Sequence, residues 1–316
     1  MAVGRIIGRV DGDLPGPLVI ATAAIHGNEP AGVRALADAF GVIDTIKSAD
    51  FRGVFIGLVG NLQAFSRGQR FTDRDLNRMW TRSNVDRVLL QGEEKCRDED
   101  MELFQLYTLI SGIVGDTRPS AVYFLDLHTT SAGGGIFCIP ADESGSLSFG
   151  KALQAPVILR LFDKVEGTLL RFAADGHFIR GTADIPVYGV AFEAGQHDDP
   201  LSVSRSVSAV FHTLHHAGCT ADSRISSLHN DMLRDAFAVL PRVVRLLHVH
   251  HIQPGDQFVM RPGYVNFQSV KEGEHLADDI RGRVLSPYSG MILMPLYQPL
   301  GSDGFFLVGE EGDNNQ

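Results

Sequence analysis

Apolar residues in this chain come mainly in short unbroken runs, each closed by a polar or ionisable residue. The clearest runs are residues 17–23, 51–59, 121–127, 135–139 and 185–192. A run of that length without alternation reads as a strand buried on both faces, as in a parallel sheet covered by helices. Residues 4–10 read as an opening strand. Between the strands lie stretches with helical spacing: 30–40, 86–114 and 201–217. In the second, Met101, Leu103, Phe104, Leu106, Leu109, Ile110 and Ile113 form an approximate stripe. In the third, Val203, Val207, Val210, Phe211 and Leu214 do so. A polar loop fills 61–82.

The texture changes after about Gly218. One more helix is expected over 223–240. Short β-rich runs then follow at 243–247, 257–260, 290–294 and 305–308, punctuated by Gly and Pro. The pattern predicts an α/β fold with a mixed, largely parallel sheet between helix layers over residues 1–225. A smaller all-β domain is expected over 226–316. A chain of 316 residues exceeds the comfortable size of one core, which agrees with two units.

The positions that close the runs carry the chemistry. His26 and Glu29 follow the 17–23 run, His128 follows 121–127, and Glu193 follows 185–192. In open α/β sheets ligands bind at the carboxyl ends of strands. One parallel sheet therefore brings these distant residues to one edge. A single His-x-x-Glu pair at a helix start is ordinarily a capping or solvent-facing pair, so it is the joint placement that points to a metal. Two imidazoles and a carboxylate, with a water in the fourth position, make a known type of catalytic zinc site. Glu193 is then the candidate carboxylate that takes the water's proton and returns it to a leaving amine.

Charge sharpens the picture. A net charge of −10 argues against nucleic acid as a partner and opposes the approach of anionic substrates. The polar loop offers a local remedy, since it carries Arg67, Arg70, Arg74, Arg78 and Arg82, and guanidinium forks grip carboxylates. Cys96, Cys138 and Cys219 fit no disulfide frame and no Cys-x-x-Cys metal site, so free thiols are expected. No apolar run approaches the roughly 20 residues of a membrane helix, and the N-terminus lacks a signal peptide's apolar core. A cytoplasmic protein without a membrane partner is expected.

Four motifs in order resemble those of the succinylglutamate desuccinylase and aspartoacylase family, a branch of the zinc carboxypeptidase-like proteins. They are Ile25-His26-Gly27-Asn28-Glu29, Asp75-Leu76-Asn77-Arg78, Asp126-Leu127-His128-Thr129-Thr130-Ser131 and Phe192-Glu193-Ala194-Gly195. The resemblance covers most of residues 15–200 and continues more loosely to the C-terminus. It implies one zinc ion per chain on His26, Glu29 and His128, with Glu193 as general base and acid. It implies Arg70 at the scissile carbonyl, and Asn77 with Arg78 on the substrate carboxylate. Tyr297 matches, by loose alignment, a tyrosine that contacts substrate. The implied substrate is a small N-acyl amino acid, with Asp or Glu derivatives favoured by the arginines and acetylated diamino acids left open.

Other features carry less. Asp126 lies two residues before His128 and so on the same strand face, where it would orient a ligand. Asp75 would brace His26 or Arg78. His212, His215 and His216 share a helix face without a carboxylate pattern. His248, His250 and His251 read as strand and loop surface, and His197 as a loop residue near the pocket. Gly133-Gly134-Gly135 reads as a sharp backbone turn. Residues 282–293 resemble the barrel-sandwich fold of biotinyl and lipoyl carriers, but no lysine follows Lys271, which excludes a carrier. Two rival functions remain: a metallocarboxypeptidase acting on short peptides, and a non-catalytic metal or ligand-binding module on the same scaffold. Oligomeric state is left open.

Overall fold

The computed structural model describes residues 4–45, 51–179, 185–221, 233–234 and 240–310. In chain order the strands and helices of the first part are β1 (Ile6–Asp11), β2 (Leu14–Ala23), α1 (Ala31–Ile43), β3 (Arg52–Val59), α2 (Leu62–Arg67), α3 (Arg82–Gln91), α4 (Asp98–Thr117) and β4 (Val122–Thr130). There follow β5 (Phe137–Pro140), α5 (Gly145–Ala152), β6 (Val157–Leu159), α6 (Leu169–Ala174), β7 (Val187–Gln196) and α7 (Ser202–His216). The remainder is all strand: β8 (Val243–His251), β9 (Val259–Met260), β10 (Gln268–Val270), β11 (His275–Asp279), β12 (Gly282–Leu285), β13 (Gly290–Leu293) and β14 (Asp303–Glu310). The helix expected over 223–240 falls almost wholly outside the described residues.

Eleven strands form one mixed sheet in the order β1-β3-β2-β4-β7-β5-β6-β8-β14-β13-β10. Its centre, β3-β2-β4-β7, is parallel. The C-terminal strands join through the parallel β6–β8 pair and continue antiparallel. A separate three-stranded sheet, β12-β11-β9, completes the fold.

The unbroken apolar runs are explained by two cores, one on each sheet face. Along β2, Leu18 and Ile20 enter one core, while Val19, Ala21 and Ala23 enter the other. Successive side chains of a strand point to opposite faces, so a strand covered twice is apolar throughout. One core is capped by α3, α4 and α6 through Val88, Leu103, Leu106, Ile110 and Phe172. The other is capped by α1, α5 and α7 through Leu36, Phe40, Phe149, Phe211 and Leu214. Gly32 lets α1 approach closely: a Cβ there would lie 2.9 Å from the Cβ atoms of Ala23 and Leu127. A third, smaller core lies among the C-terminal strands around Leu276, Ile292, Phe305 and Leu307.

Several elements differ from the sequence expectation. The stretch 86–114 is two helices, because Gly92 at φ +79° ends α3 and the chain restarts at Asp98. The polar loop contains the short helix α2, capped by Asn61, whose Oδ1 accepts from Ala64 N. β4 and β7 run on past His128 and Glu193, so both residues sit within strands. The three cysteines are free and buried. No helix among the described residues is long and apolar enough to cross a membrane.

Candidate metal centre and active site

The site lies on the α3/α4/α6 side of the sheet. The β4–β7 register sets His128 beside Glu193 and Asp126 beside Ala191, and the β2–β4 register sets Thr22 beside Asp126. His26 and Glu29 arrive from the turn after β2. Ala24 leaves that strand at φ +53°, a left-handed conformation that costs a non-glycine residue about 1 kcal/mol or more. The turn closes when Glu29 N donates to His26 O at 3.1 Å, and Pro30 then starts α1. Gly27 is required by close approach. Its N–H donates to Arg70 O at 3.0 Å, and a Cβ would meet Ala64 C and Phe65 N at 2.3 Å.

His26, Glu29 and His128 are all buried, and one donor atom from each lies within 4.8 Å of the others. His26 Nδ1 is 2.9 Å from Glu29 Oε1, and His128 Nδ1 is 3.3 Å from Glu29 Oε2. The far ring nitrogens meet other carboxylates: His128 Nε2 to Asp126 at 3.0 Å and His26 Nε2 to Asp75 at 3.2 Å. When each Nε2–H is donated outward, both Nδ1 lone pairs face Glu29. That tautomer is the one a metal-binding imidazole needs. Asp126 is itself fixed by Thr22 Oγ1 at 2.6 Å. This donor set can hold a metal ion, and among the described residues no other group of His, Cys, Asp and Glu has the arrangement.

The electrostatics follow from burial and proximity. Burial alone would raise the Glu29 carboxyl, but the two imidazoles hold it well below the usual carboxylate range. Asp75 is likewise raised by burial and more strongly lowered by His26, Arg70 and Arg78. Burial opposes charge on His128, yet Asp126 and Glu29 raise it well above the ordinary imidazole value. Glu193 goes the other way. Burial, reinforced by Glu29 and Asp126 and only partly offset by His128 and Arg70, pushes its carboxyl up to about 8. Its Oε2 is buried without a hydrogen-bond partner.

A cavity of about 860 Å³, counting the space open to solvent, contains the cluster, Arg70, Asn77, Arg78 and Glu193. Arg70 Nη2 donates to Asp75 Oδ2 at 3.2 Å and lies 2.9 Å from His26 Nε2, so Asp75 accepts from both side chains and holds them together. Asn77 Oδ1 accepts from Leu169 N at 3.0 Å, which leaves its amide N–H groups for a ligand. Arg78 is already engaged. It donates to Asp303 Oδ2 at 2.6 Å and to Asn77 O at 2.9 Å. Asp303 also pairs with His251 Nδ1 at 2.8 Å.

Of the five loop arginines, only Arg70 and Arg78 line this cavity. Arg74 pairs instead with Asp73 and Asp100, so the five arginines are not gathered at the cavity. Tyr297 also stands apart. Its hydroxyl accepts from Tyr264 N at 2.8 Å and donates to Arg261 O at 2.9 Å, and it does not line the cavity. His197 Nδ1 bonds Thr129 Oγ1 at 2.7 Å, while Thr129 N donates to Glu29. His216 stacks on Phe149, and His250 on Phe305. Gly134 admits Asn266, whose backbone a Cβ would meet at 2.7 Å, so the triple glycine docks the C-terminal strands.

One residue that sequence reasoning missed organises the loop. Glu99, in the first turn of α4 and 1% exposed, accepts four N–H groups. Asn61 Nδ2 and Thr72 N reach its Oε1 at 2.9 and 2.6 Å, and Asp73 N and Arg74 N reach its Oε2 at 2.8 and 3.1 Å. It thereby shapes the backbone between Arg70 and Asp75. Glu102, one turn on, accepts from Leu62 N and Gln63 N and pairs with Arg5.

Residues 15–195, more than half of the chain, match the family model described as the succinylglutamate desuccinylase/aspartoacylase catalytic domain. The chain belongs to the succinylglutamate desuccinylase/aspartoacylase family. A probable aspartoacylase from Nostoc sp. (strain PCC 7120 / SAG 25.82 / UTEX 2576) is 27% identical over 119 residues, a stretch covering only 37% of this chain and 37% of that relative. Among solved structures, a succinylglutamate desuccinylase/aspartoacylase from Rhodobacter sphaeroides is similar with a TM-score of 0.65 at 16% identity. The match covers 97% of this chain and 88% of that one. The product-bound ectoine utilization protein EutE (DoeB) from Ruegeria pomeroyi gives 0.63 at 16% identity, over 95% and 86%. These likenesses show the mixed carboxypeptidase-like fold of the family. The family's catalytic stretch in this chain includes the His26–Glu29–His128 group, Arg70, Asn77, Arg78 and Glu193, whereas Tyr297 and Asp303 lie beyond it.

Proposed function

We propose that the protein is a zinc-dependent amidohydrolase that removes the acyl group from a small N-acyl amino acid. The observation that carries this is the pairing of a buried two-imidazole, one-carboxylate donor set with the unpartnered carboxyl of Glu193 in one cavity. Zinc bound there would supply Lewis acidity and a water made acidic near neutral pH.

The chain's own residues supply the rest. Glu193, whose carboxyl Oε2 is buried in the same cavity without a partner, takes the proton from the attacking water and hands it to the departing amine. Arg70 is held by Asp75 with a guanidinium edge in the cavity, where it steadies negative charge developing on the amide oxygen. Asn77 and Arg78 hold the substrate's α-carboxylate through the N–H groups left free by Leu169 and Asp303. Residues 1–225 carry the catalysis in this reading, and 226–316 flank the entrance. Leu296, Gln298, Ser302 and Asp303 from the latter narrow the cavity, which favours small substrates over peptides.

The test is the Glu193→Gln variant. It is expected to match wild type in zinc content by elemental analysis, yet lose hydrolysis of its best N-acyl amino acid by about 10²- to 10⁴-fold. Near wild-type turnover would remove the assignment of Glu193. Faster cleavage of short peptides by the wild type would favour a metallocarboxypeptidase, and tight binding without turnover a non-catalytic module.

A further inference from the structure

We infer that the substrate carries an apolar side chain on the amino acid being released, of the size of leucine, methionine or phenylalanine, and not a second carboxylate. This rests on the reading above, in which Asn77 and Arg78 hold the α-carboxylate.

Position comes first. The segment 161–170 packs directly on the Asn77–Arg78 turn. Leu169 N donates to Asn77 Oδ1, and Trp80 N donates to Gly167 O at 3.0 Å. A Cβ on Gly167 would lie 2.3 Å from Arg78 O, so the two backbones are in contact. A group on the α-carbon of a ligand gripped by Asn77 and Arg78 therefore meets the wall built from this segment. That wall is Leu161, Phe162, Val165 and Leu170 with Thr168 among them, faced by Met294, just after β13, and Phe306 of β14. Its one polar side chain, Thr168, caps α6 by accepting from Arg171 N, and none of the set carries a charge.

Charge points the same way. Among the described residues, the arginines lining the cavity are Arg70 and Arg78, against the carboxylates of Glu29, Asp126, Glu193 and Asp303. Arg70 is committed to Asp75, and Arg78 is already shared with Asp303 before any substrate arrives. The substrate's α-carboxylate uses what remains of Arg78. Among the described residues, a second carboxylate there meets mainly apolar side chains and no cation left unpaired, near Asp303, and that desolvation is costly. An apolar side chain gains instead, because burial of a leucine-sized group is worth on the order of 10- to 100-fold in affinity.

Calorimetric titration of zinc-loaded Glu193→Gln protein with N-acetyl-L-leucine, N-acetyl-L-methionine and N-acetyl-L-aspartate tests the inference separately from turnover. The leucine and methionine ligands are expected to bind at least about 10-fold more tightly than the aspartate ligand. Phe162 is only partly buried, so Phe162→Arg provides a tolerated variant that places a cation in the wall. It is expected to shrink or reverse the preference. Equal or tighter binding of N-acetyl-L-aspartate by the unaltered wall, or no binding of the apolar ligands, overturns the inference. Hydrolysis by wild-type enzyme separates the two readings. If the aspartate derivative is cleaved fastest, the amidohydrolase stands and the apolar preference falls. If the apolar ligands bind tightly and none is hydrolysed, the preference stands and the amidohydrolase falls.

Discussion

Replacing Glu99 by glutamine exchanges one carboxylate oxygen for an NH2 group, with almost no change of shape. In the native loop all four hydrogen bonds to Glu99 are donated by N–H groups. A glutamine therefore loses the two bonds on one oxygen, sets donor against donor there, and weakens the other two by removing the charge. Bonds to a charged acceptor are worth about 1.5–3 kcal/mol each, so the expected loss is about 3–5 kcal/mol. That is a large part of the roughly 5–15 kcal/mol typical of a folded protein. Trp80, the single tryptophan and 3% exposed, packs against Phe172 and Phe178 beside this loop and reports its unfolding. Urea titration followed by Trp80 fluorescence measures the loss, with the exposed Glu94→Gln as a control expected within about 0.5 kcal/mol of wild type. The pH dependence has a definite sign. Burial raises the Glu99 carboxyl, but the N–H groups of Thr72, Asn61, Asp73 and Arg74 outweigh it and hold the carboxyl below its usual value. Its stabilisation is thus fully present above the unfolded value of about 4.3 and is lost as pH falls through the lower folded value. Glu99→Gln flattens that acid limb. Because Arg70 and Asp75 flank the braced backbone, turnover should fall as well. Stability within 1 kcal/mol of wild type together with unchanged turnover would refute the reasoning.

Two other substitutions probe the cluster. Asp126→Asn removes the charged acceptor that fixes the His128 Nε2–H and should weaken zinc affinity about 10- to 100-fold in competition with a chelator; an unchanged affinity would show that the Asp126 charge does not orient the ring. Gly27→Ala drives a methyl into the backbone of Ala64 and Phe65 and should cost about 1–3 kcal/mol in melting experiments. Gly41→Ala, exposed in α1 with nothing within 4 Å, should instead be neutral or stabilising by up to about 1 kcal/mol, and equal effects at the two glycines would contradict the close approach seen at Gly27.

The central sheet was legible because strands covered on both faces are apolar throughout, and the ionisable residues that close them stand out. His26, Glu29, His128 and Glu193 were found that way, and the structure gathers them in one cavity. The strand ends themselves were drawn too early, since β4 and β7 continue through the polar residues that read as terminators. Glu99 was invisible for the opposite reason. It sits among Asp98, Asp100 and Glu102, an acidic first turn that reads as ordinary charge complementing a helix N-terminus. Three of its four partners are backbone N–H groups more than twenty residues away, which leave no trace in side-chain pattern. The five arginines misled because a count of cations says nothing of their pairing, and Asp100 and Asp303 were not adjacent in sequence to Arg74 and Arg78. The elements α5, β6 and α6 are too short to show a period, so the apolar wall contributed by 161–170 could not be read either.

That wall and the donor cluster are built from different materials. The donors hang from long central strands and the turn after β2, while the wall comes from the segment 161–170 that runs into α6, from Met294 just after β13 and from Phe306 in β14. Substitution at Leu161, Phe162 or Val165 leaves untouched every hydrogen bond that orients His26, Glu29 and His128. If the wall sets the preference as inferred, selection can retune it without rebuilding the donor cluster.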